Sequence, residues 1–145
     1  SILLFLSFLV LPFFDPRSGV IDSRIEIWKT AFQAGINNPL LGYGVGSIQK
    51  VLNETSWELL NNVRFQIVDS THNIFLDWFV QTGILGLFLF LWLNLKTVYN
   101  LIKKENHLEL VQFLGIITIA SFNPISITLL IYLWWILRNS EKSDK

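Results

Sequence analysis

The sequence predicts an all-α integral membrane helical bundle, a piece of a longer chain, with an extracytoplasmic loop that carries short amphipathic helices. Three observations predict it. Hydrophobic residues fill 52% of the 145 positions and charged residues only 15%, against about 25% in soluble domains, so the polar surface is too small to clothe a water-soluble globule. Long apolar runs at 2–14, 74–95 and 108–137 alternate with polar segments. The chain lacks Met even at position 1, and Ser1 opens directly into the first apolar run, with neither the basic start nor the cleavage site of a signal peptide.

The charge balance excludes some classes. Eleven basic and eleven acidic residues cancel, so no overall field attracts nucleic acid. The absence of Cys removes disulfides, thiolate catalysis and the usual structural zinc sites.

Residues 1–14 are too short to span a bilayer alone and carry Pro12, so they are expected to be the end of a transmembrane helix whose beginning lies upstream. Residues 73–95 are expected to form the principal transmembrane helix. Its run Ile74 to Leu95 is interrupted only by Asp77, Gln81, Thr82 and Asn94 and would reach about 33 Å, enough for a hydrocarbon core of about 30 Å. Residues 96–107 follow as a cytoplasmic loop. Residues 108–137 are too long for one upright span and are broken near the middle by Ser121, Phe122, Asn123 and Pro124, which suits a helical hairpin better than one kinked span. Residues 138–145 form a cytoplasmic tail. The orientation rests on charge: Lys96, Lys103 and Lys104 outweigh Glu105, and three basic residues from Arg138 onward outweigh Glu141 and Asp144. Both flanks are therefore placed inside, and residues 15–72, with five basic and six acidic residues, outside.

Within 15–72, Ser23 and Glu26 form a capping box that opens a helix over about 23–37, closed by Gly35, Asn37, Asn38 and Pro39. Ile25, Trp28 and Phe32 fall on one face, with Glu26, Lys29 and Gln33 on the other, as in a helix lying on the membrane or against the bundle. Arg24 sits in the first turn, where a cation opposes the helix dipole. That placement is explained either by an ion pair with Asp22 or Glu26, or by a bound phosphate to which helix N–H groups and the guanidinium both reach. Arg64 is a second cation on this side. The stretch NPLLGYGVGS at 38–47 has glycines at 42, 44 and 46 and Tyr43 between them. It is neither a Walker loop nor a dinucleotide fingerprint, and reads as a tight turn over 42–46. Residues 47–60 are expected to form one or two short helices.

Asp69, Ser70 and Thr71 are N-cap candidates for the following helix, which puts His72 and Asn73 at the outer boundary. Asn73, Asp77 and Gln81 repeat every four residues. Such a polar stripe faces either protein or a wet cavity, because polar groups in hydrocarbon are costly. It can be a structural network, or the wall of a permeation path in a transporter or channel. No acidic or histidine cluster has metal-ligand spacing.

The series Arg24, Trp28, NPLLGYGVGS, His72-Asn73 and Gly83-Ile-Leu-Gly86 resembles the C-terminal part of the O-antigen ligase and O-antigen polymerase superfamily. The most specific element is His-Asn, nine residues, Gly, two residues, Gly, which runs from His72 to Gly86. Leu87 and Phe88 replace the two threonines of some ligases, and Gln81 the glutamate of many members, which leaves polymerases and other surface-glycan ligases open. The resemblance implies a GT-C-like, multi-pass glycosyltransferase of the bacterial cytoplasmic membrane, acting at its outer face. It implies an undecaprenyl-diphosphate-linked glycan donor, a glycan or lipid-linked acceptor and no metal or other cofactor. It also implies His72 as the catalytic base, Arg24 with Arg64 at the donor diphosphate, and Asn73, Asp77 and Tyr43 behind them. Upstream transmembrane helices would complete the enzyme, so the segment by itself is expected to be inactive.

Overall fold

The computed structural model describes residues 20–58 and 68–141, which form five helices: α1 (Val20–Asn37), α2 (Ile48–Glu58), α3 (Ile74–Lys103), α4 (His107–Ala120) and α5 (Ile127–Glu141). Among the described residues the architecture is all-helical, and the segment of α3 is long and apolar enough to cross a membrane. The expected span end at 1–14, Arg64 and the last four residues lie outside the described residues.

The continuity of α3 is only apparent. Gly83 has φ 67° and ψ −167°, which no helix contains, and divides α3 into an arm at 74–82 and an arm at 84–103. The bend is sharp. In a straight helix Trp78 and Phe90 would be about 18 Å apart along the axis, yet their rings stack with centroids 4.9 Å apart, and Phe75 reaches the same Phe90 ring at 6.0 Å. The first arm therefore folds over towards the second. The expected span at 73–95 lies within this helix and its N-cap and contains the bend. The straight apolar arm is 84–103, about 30 Å long at helical rise, which equals the thickness of a hydrocarbon core.

The break is filled by the glycine-rich segment. In an unbroken helix the amides of residues 84 and 85 would bond to the carbonyls of Val80 and Gln81. Here Tyr43 N–H donates to Val80 O (2.9 Å), Gly44 N–H to Gln81 O (2.9 Å), and Ile84 N–H turns instead to Pro39 O (2.7 Å). Two glycines make this approach feasible. A Cβ on Gly42 would stand 2.5 Å from the Gln81 carbonyl carbon, and one on Gly83 would stand 2.3 Å from Leu40 O; both have positive φ.

Helix α1 extends upstream of the capping box, so Ser23 and Arg24 lie within it, not at its start. Its buried stripe is Ile27, Thr30, Ala31 and Ala34, which closes on Ile48, Val51 and Leu52 of α2 and Val80 of α3. Of the two placements the sequence allowed for the larger apolar face, Ile25, Trp28 and Phe32, the packing against the bundle is not the one seen: Ile25 and Phe32 are exposed and Trp28 is half-buried. Small residues won the interior because helices approach more closely over Ala than over Phe, leaving the larger apolar face outward.

Two helices, α4 and α5, joined by a turn at 121–126, occupy the segment that composition left between a hairpin and a single kinked span. Leu101 of α3 meets Phe113 and Ile116 of α4 and Leu133, Ile136 and Leu137 of α5. At the other end of this bundle Ile74, Phe90 and Ala120 pack together, with Ile125 beside them, so the first arm of α3 caps the hairpin tip. Polar side chains in the apolar arms donate back one turn, as Asn94 Nδ2 does to Phe90 O, Thr97 to Leu93 O and Thr118 to Leu114 O, which gives these donors internal partners, while Asn94 Oδ1 is buried without a partner among the described residues.

The loop expected at 96–107 shrinks to residues 104–106. Val98, Leu101 and Ile102 continue the helical apolar spacing, and Leu101 is fully buried. Lys96 remains compatible with the helix by reaching Glu141 Oε1 at 2.6 Å and lying over Trp92 at 5.3 Å. The helix stops where Glu105 takes φ 54° and Asn106 caps α4 by accepting from Glu109 N–H.

Gly83→Ala is expected to destabilise the full-length protein by about 2 kcal/mol or more, combining left-handed strain of roughly 1–3 kcal/mol with the contact at Leu40. Gly115→Ala, in the middle of α4 with open space around it, should be neutral or stabilising by up to about 1 kcal/mol. Thermal unfolding in nanodiscs compares the two, and equal midpoints would contradict the role given to Gly83.

Candidate functional site

His72 lies where α1, the start of α3 and the α4–α5 turn come together. Trp28 Nε1–H donates to Thr71 O at 2.9 Å, and the Trp28 ring meets Phe122 of the turn at 6.3 Å. One indole thus ties three elements together beside His72. Arg24 precedes Trp28 by four residues on the same helix, about 6 Å along the axis, so α1 delivers both to this end of the molecule. Arg24 is half-buried, and among the described residues the ion pairs are Lys50 with Glu54 and Lys96 with Glu141. Of the two expected alternative partners of Arg24, Glu26 makes no ion pair with it, and the Asp22 side chain lies outside the described residues.

The cap of α3 is Asn73, whose Oδ1 accepts from Phe75 N–H at 3.0 Å and Leu76 N–H at 3.2 Å. The sequence nominated Asp69, Ser70 and Thr71 for that task. Ser70 and Thr71 are held differently: Asp77, one turn into the helix, accepts from Ser70 Oγ and from Thr71 N–H, both at 2.7 Å. Thr71 Oγ1 in turn donates to Asn73 O. The chain between Ser70 and Asn73 is thereby pinned from both sides, and His72 adopts φ 59° within it. A left-handed non-glycine residue costs about 1–3 kcal/mol and persists only where neighbours impose it, a condition that recurs at functional sites. His72 N–H donates to Ser70 Oγ at 3.1 Å. The ring is half-buried and its Nδ1 is sealed from solvent without a hydrogen-bond partner among the described residues.

The polar stripe is absorbed by the protein. Asn73 and Asp77 serve the turn before the helix. Gln81 accepts from Gly46 N–H through Oε1 at 2.8 Å and donates through Nε2 to Asp77 O. Among the described residues these are the contacts of a structural network. Tyr43, expected behind the site, contributes its backbone to the break in α3 instead, and its side chain is part-exposed. Arg64 lies outside the described residues.

Sequence reasoning missed Trp28 as the link between α1 and His72, and Gly83 as the place where α3 bends. A signal existed for the second: two polar residues, Gln81 and Thr82, immediately precede that glycine. An open apolar groove of about 370 Å³ runs beside Trp28, lined by Ile25, Trp28, Lys29, Phe32 and Leu76. It begins at the His72 end of α1 and carries one cation.

Asp77→Ala removes the acceptor of a buried amide, at an expected cost of about 1–3 kcal/mol. Hydrogen exchange should accelerate at residues 70–73 while α4 and α5 keep their protection; unchanged exchange at Thr71 would show that Asp77 does not hold the turn.

A family model described as O-antigen ligase matches residues 2–91. Among curated proteins and among solved structures, none matches the chain significantly.

Proposed function

The chain belongs to the O-antigen ligase family, and from that premise we propose that it is the C-terminal part of a multi-pass glycosyltransferase of the bacterial cytoplasmic membrane. The family assigns it a function of the O-antigen ligase or polymerase type. In the proposed reaction, glycan passes from an undecaprenyl-diphosphate-linked donor to a sugar hydroxyl at the outer face. The observation that carries the site assignment is the Trp28 to Thr71 bond, because it fastens the helix bearing Arg24 to the residue preceding His72. The groove beside Trp28 supports a donor whose carrier is an apolar chain.

In this scheme His72 takes the proton from the acceptor hydroxyl as its oxygen attacks the anomeric carbon. The bond from that carbon to the diphosphate breaks, configuration inverts, and the leaving undecaprenyl diphosphate carries away the negative charge. Arg24 holds the diphosphate and stabilises this developing charge, and Arg64 is proposed as its companion. Asp77 and Asn73 act through His72 by fixing the turn it occupies. The scheme draws on no metal ion.

His72→Ala in the full-length protein should lower glycan transfer by about 10²–10⁴-fold, the usual contribution of a positioned base. Arg24→Ala should lower it as well, with Arg24→Lys recovering only part because a point charge replaces a bidentate one. Surface and lipid-linked glycans, separated by electrophoresis at matched protein levels, report the effect. Loss of long chains with single units retained identifies a polymerase, and accumulation of complete lipid-linked chains identifies a ligase. Wild-type glycan in both alanine variants would overturn the assignment.

A further inference from the structure

We propose that the turn at 39–46 is a lipid-inserting wedge, in which Leu40, Leu41 and Val45 enter the acyl chains around the start of the 84–103 arm. These three side chains are 63%, 71% and 91% exposed, which is unusual for large apolar residues on consecutive stretches of one turn. They continue an exposed apolar surface. Ile84 and Leu85, the first residues of the membrane-spanning arm, are exposed as well, and Ile84 is bonded directly to Pro39. The wedge and the top of the span are therefore at the same level.

Backbone chemistry favours lipid over water at this place. A turn entering hydrocarbon must hide its amides. Four amides of the turn do so here: Gly42 donates to Asn38 O, Tyr43 and Gly44 donate to the carbonyls freed by the break in α3, and Gly46 donates to Gln81 Oε1. The Gly42 carbonyl accepts from Asn38 Nδ2 and the Gly44 carbonyl from Ser47 Oγ.

Charge marks the border of the wedge. No charged residue occurs between Lys29 and Lys50, and the first exposed ion pair is Lys50 with Glu54 on α2, side chains 78% and 59% exposed. An apolar tip followed within one helical turn by a charged, solvated face is how interfacial segments are built.

The test places single nitroxide labels on the full-length protein at Leu41→Cys, Val45→Cys and, as the water-side reference, Lys50→Cys. Other cysteines are removed, and the protein is reconstituted into vesicles of phosphatidylethanolamine and phosphatidylglycerol. Collision rates are measured with oxygen, which concentrates in acyl chains, and with a water-soluble nickel chelate. The wedge predicts oxygen-to-chelate ratios at positions 41 and 45 at least several-fold above that at position 50. Chelate access at 45 equal to that at 50 overturns the proposal. So does protection from both reagents, which would mean that protein, whether upstream helices or a second copy, covers the turn.

Discussion

Everything in this molecule is arranged around one backbone-to-backbone contact, between the turn at 39–44 and the break in α3 at Gly83. Breaking an apolar helix leaves two carbonyls and an amide without partners, each costing several kcal/mol if it meets hydrocarbon. The turn supplies all three partners, from Tyr43, Gly44 and Pro39. Because the hydrogen-bonding groups are main chain, the two segments must approach closer than any Cβ permits, and this is why glycine stands at 42 and at 83. Once this join is made, α1 and α2 are fixed to the 84–103 arm without a covalent link nearby.

The join also defines two layers. Below it, the 84–103 arm, α4 and α5 share a core of Leu101, Phe113, Leu133 and Ile136. Above it, α1, α2 and the 74–82 arm share a core of Ile27, Ala31, Ala34, Leu52 and Val80. Phe90, Ile74 and Ala120 stitch the layers where the arm folds across the hairpin tip. The upper core is made mostly of small and medium side chains, so its strength comes from close approach, whereas aromatic and long aliphatic side chains fill the lower one.

How far the sequence alone could go follows from the range of the forces involved. Apolar content, the break at Ser121 to Pro124, the helix around Trp28 and the family resemblance are local or compositional, and each is readable along the chain. The sharp bend in α3 was not, because Gly83 sits in a run whose composition suits an unbroken span; what bends it is a hydrogen-bonding partner forty residues away. Which face of α1 is buried was left open for a related reason. Hydrophobic size favours Ile25 and Phe32, while close helix contact favours Ala31 and Ala34, and only tertiary structure decides between them. Of the candidate site, His72, Asn73 and Asp77 were legible as a polar group at a helix start, but their division of labour was not. Asn73 caps, Asp77 ties back the turn, and a left-handed His72 leaves no mark in sequence.

The nine-residue arm between His72 and Gly83 is held at both ends by different means, and this gives it a mechanical meaning. At one end Asp77 clamps Ser70 and Thr71, and Trp28 fixes Thr71 from α1. At the other, the join at Gly83 anchors Val80 and Gln81, and the Gln81 side chain links Gly46 back to Asp77. A continuous chain of hydrogen bonds thus runs from the glycine turn to the strained backbone of His72. Strain of this kind is retained only if its surroundings cannot relax, so the rigidity of the turn and the conformation of the histidine are one property. With the turn inserted in lipid as proposed, the short arm that carries the proposed base is held at a fixed height above the membrane. A donor that is itself anchored in the bilayer by its carrier lipid presents its diphosphate at a fixed height too. Two groups each confined to the same plane need to find one another in only two dimensions, and positioning of this kind lowers the entropic part of a transfer barrier.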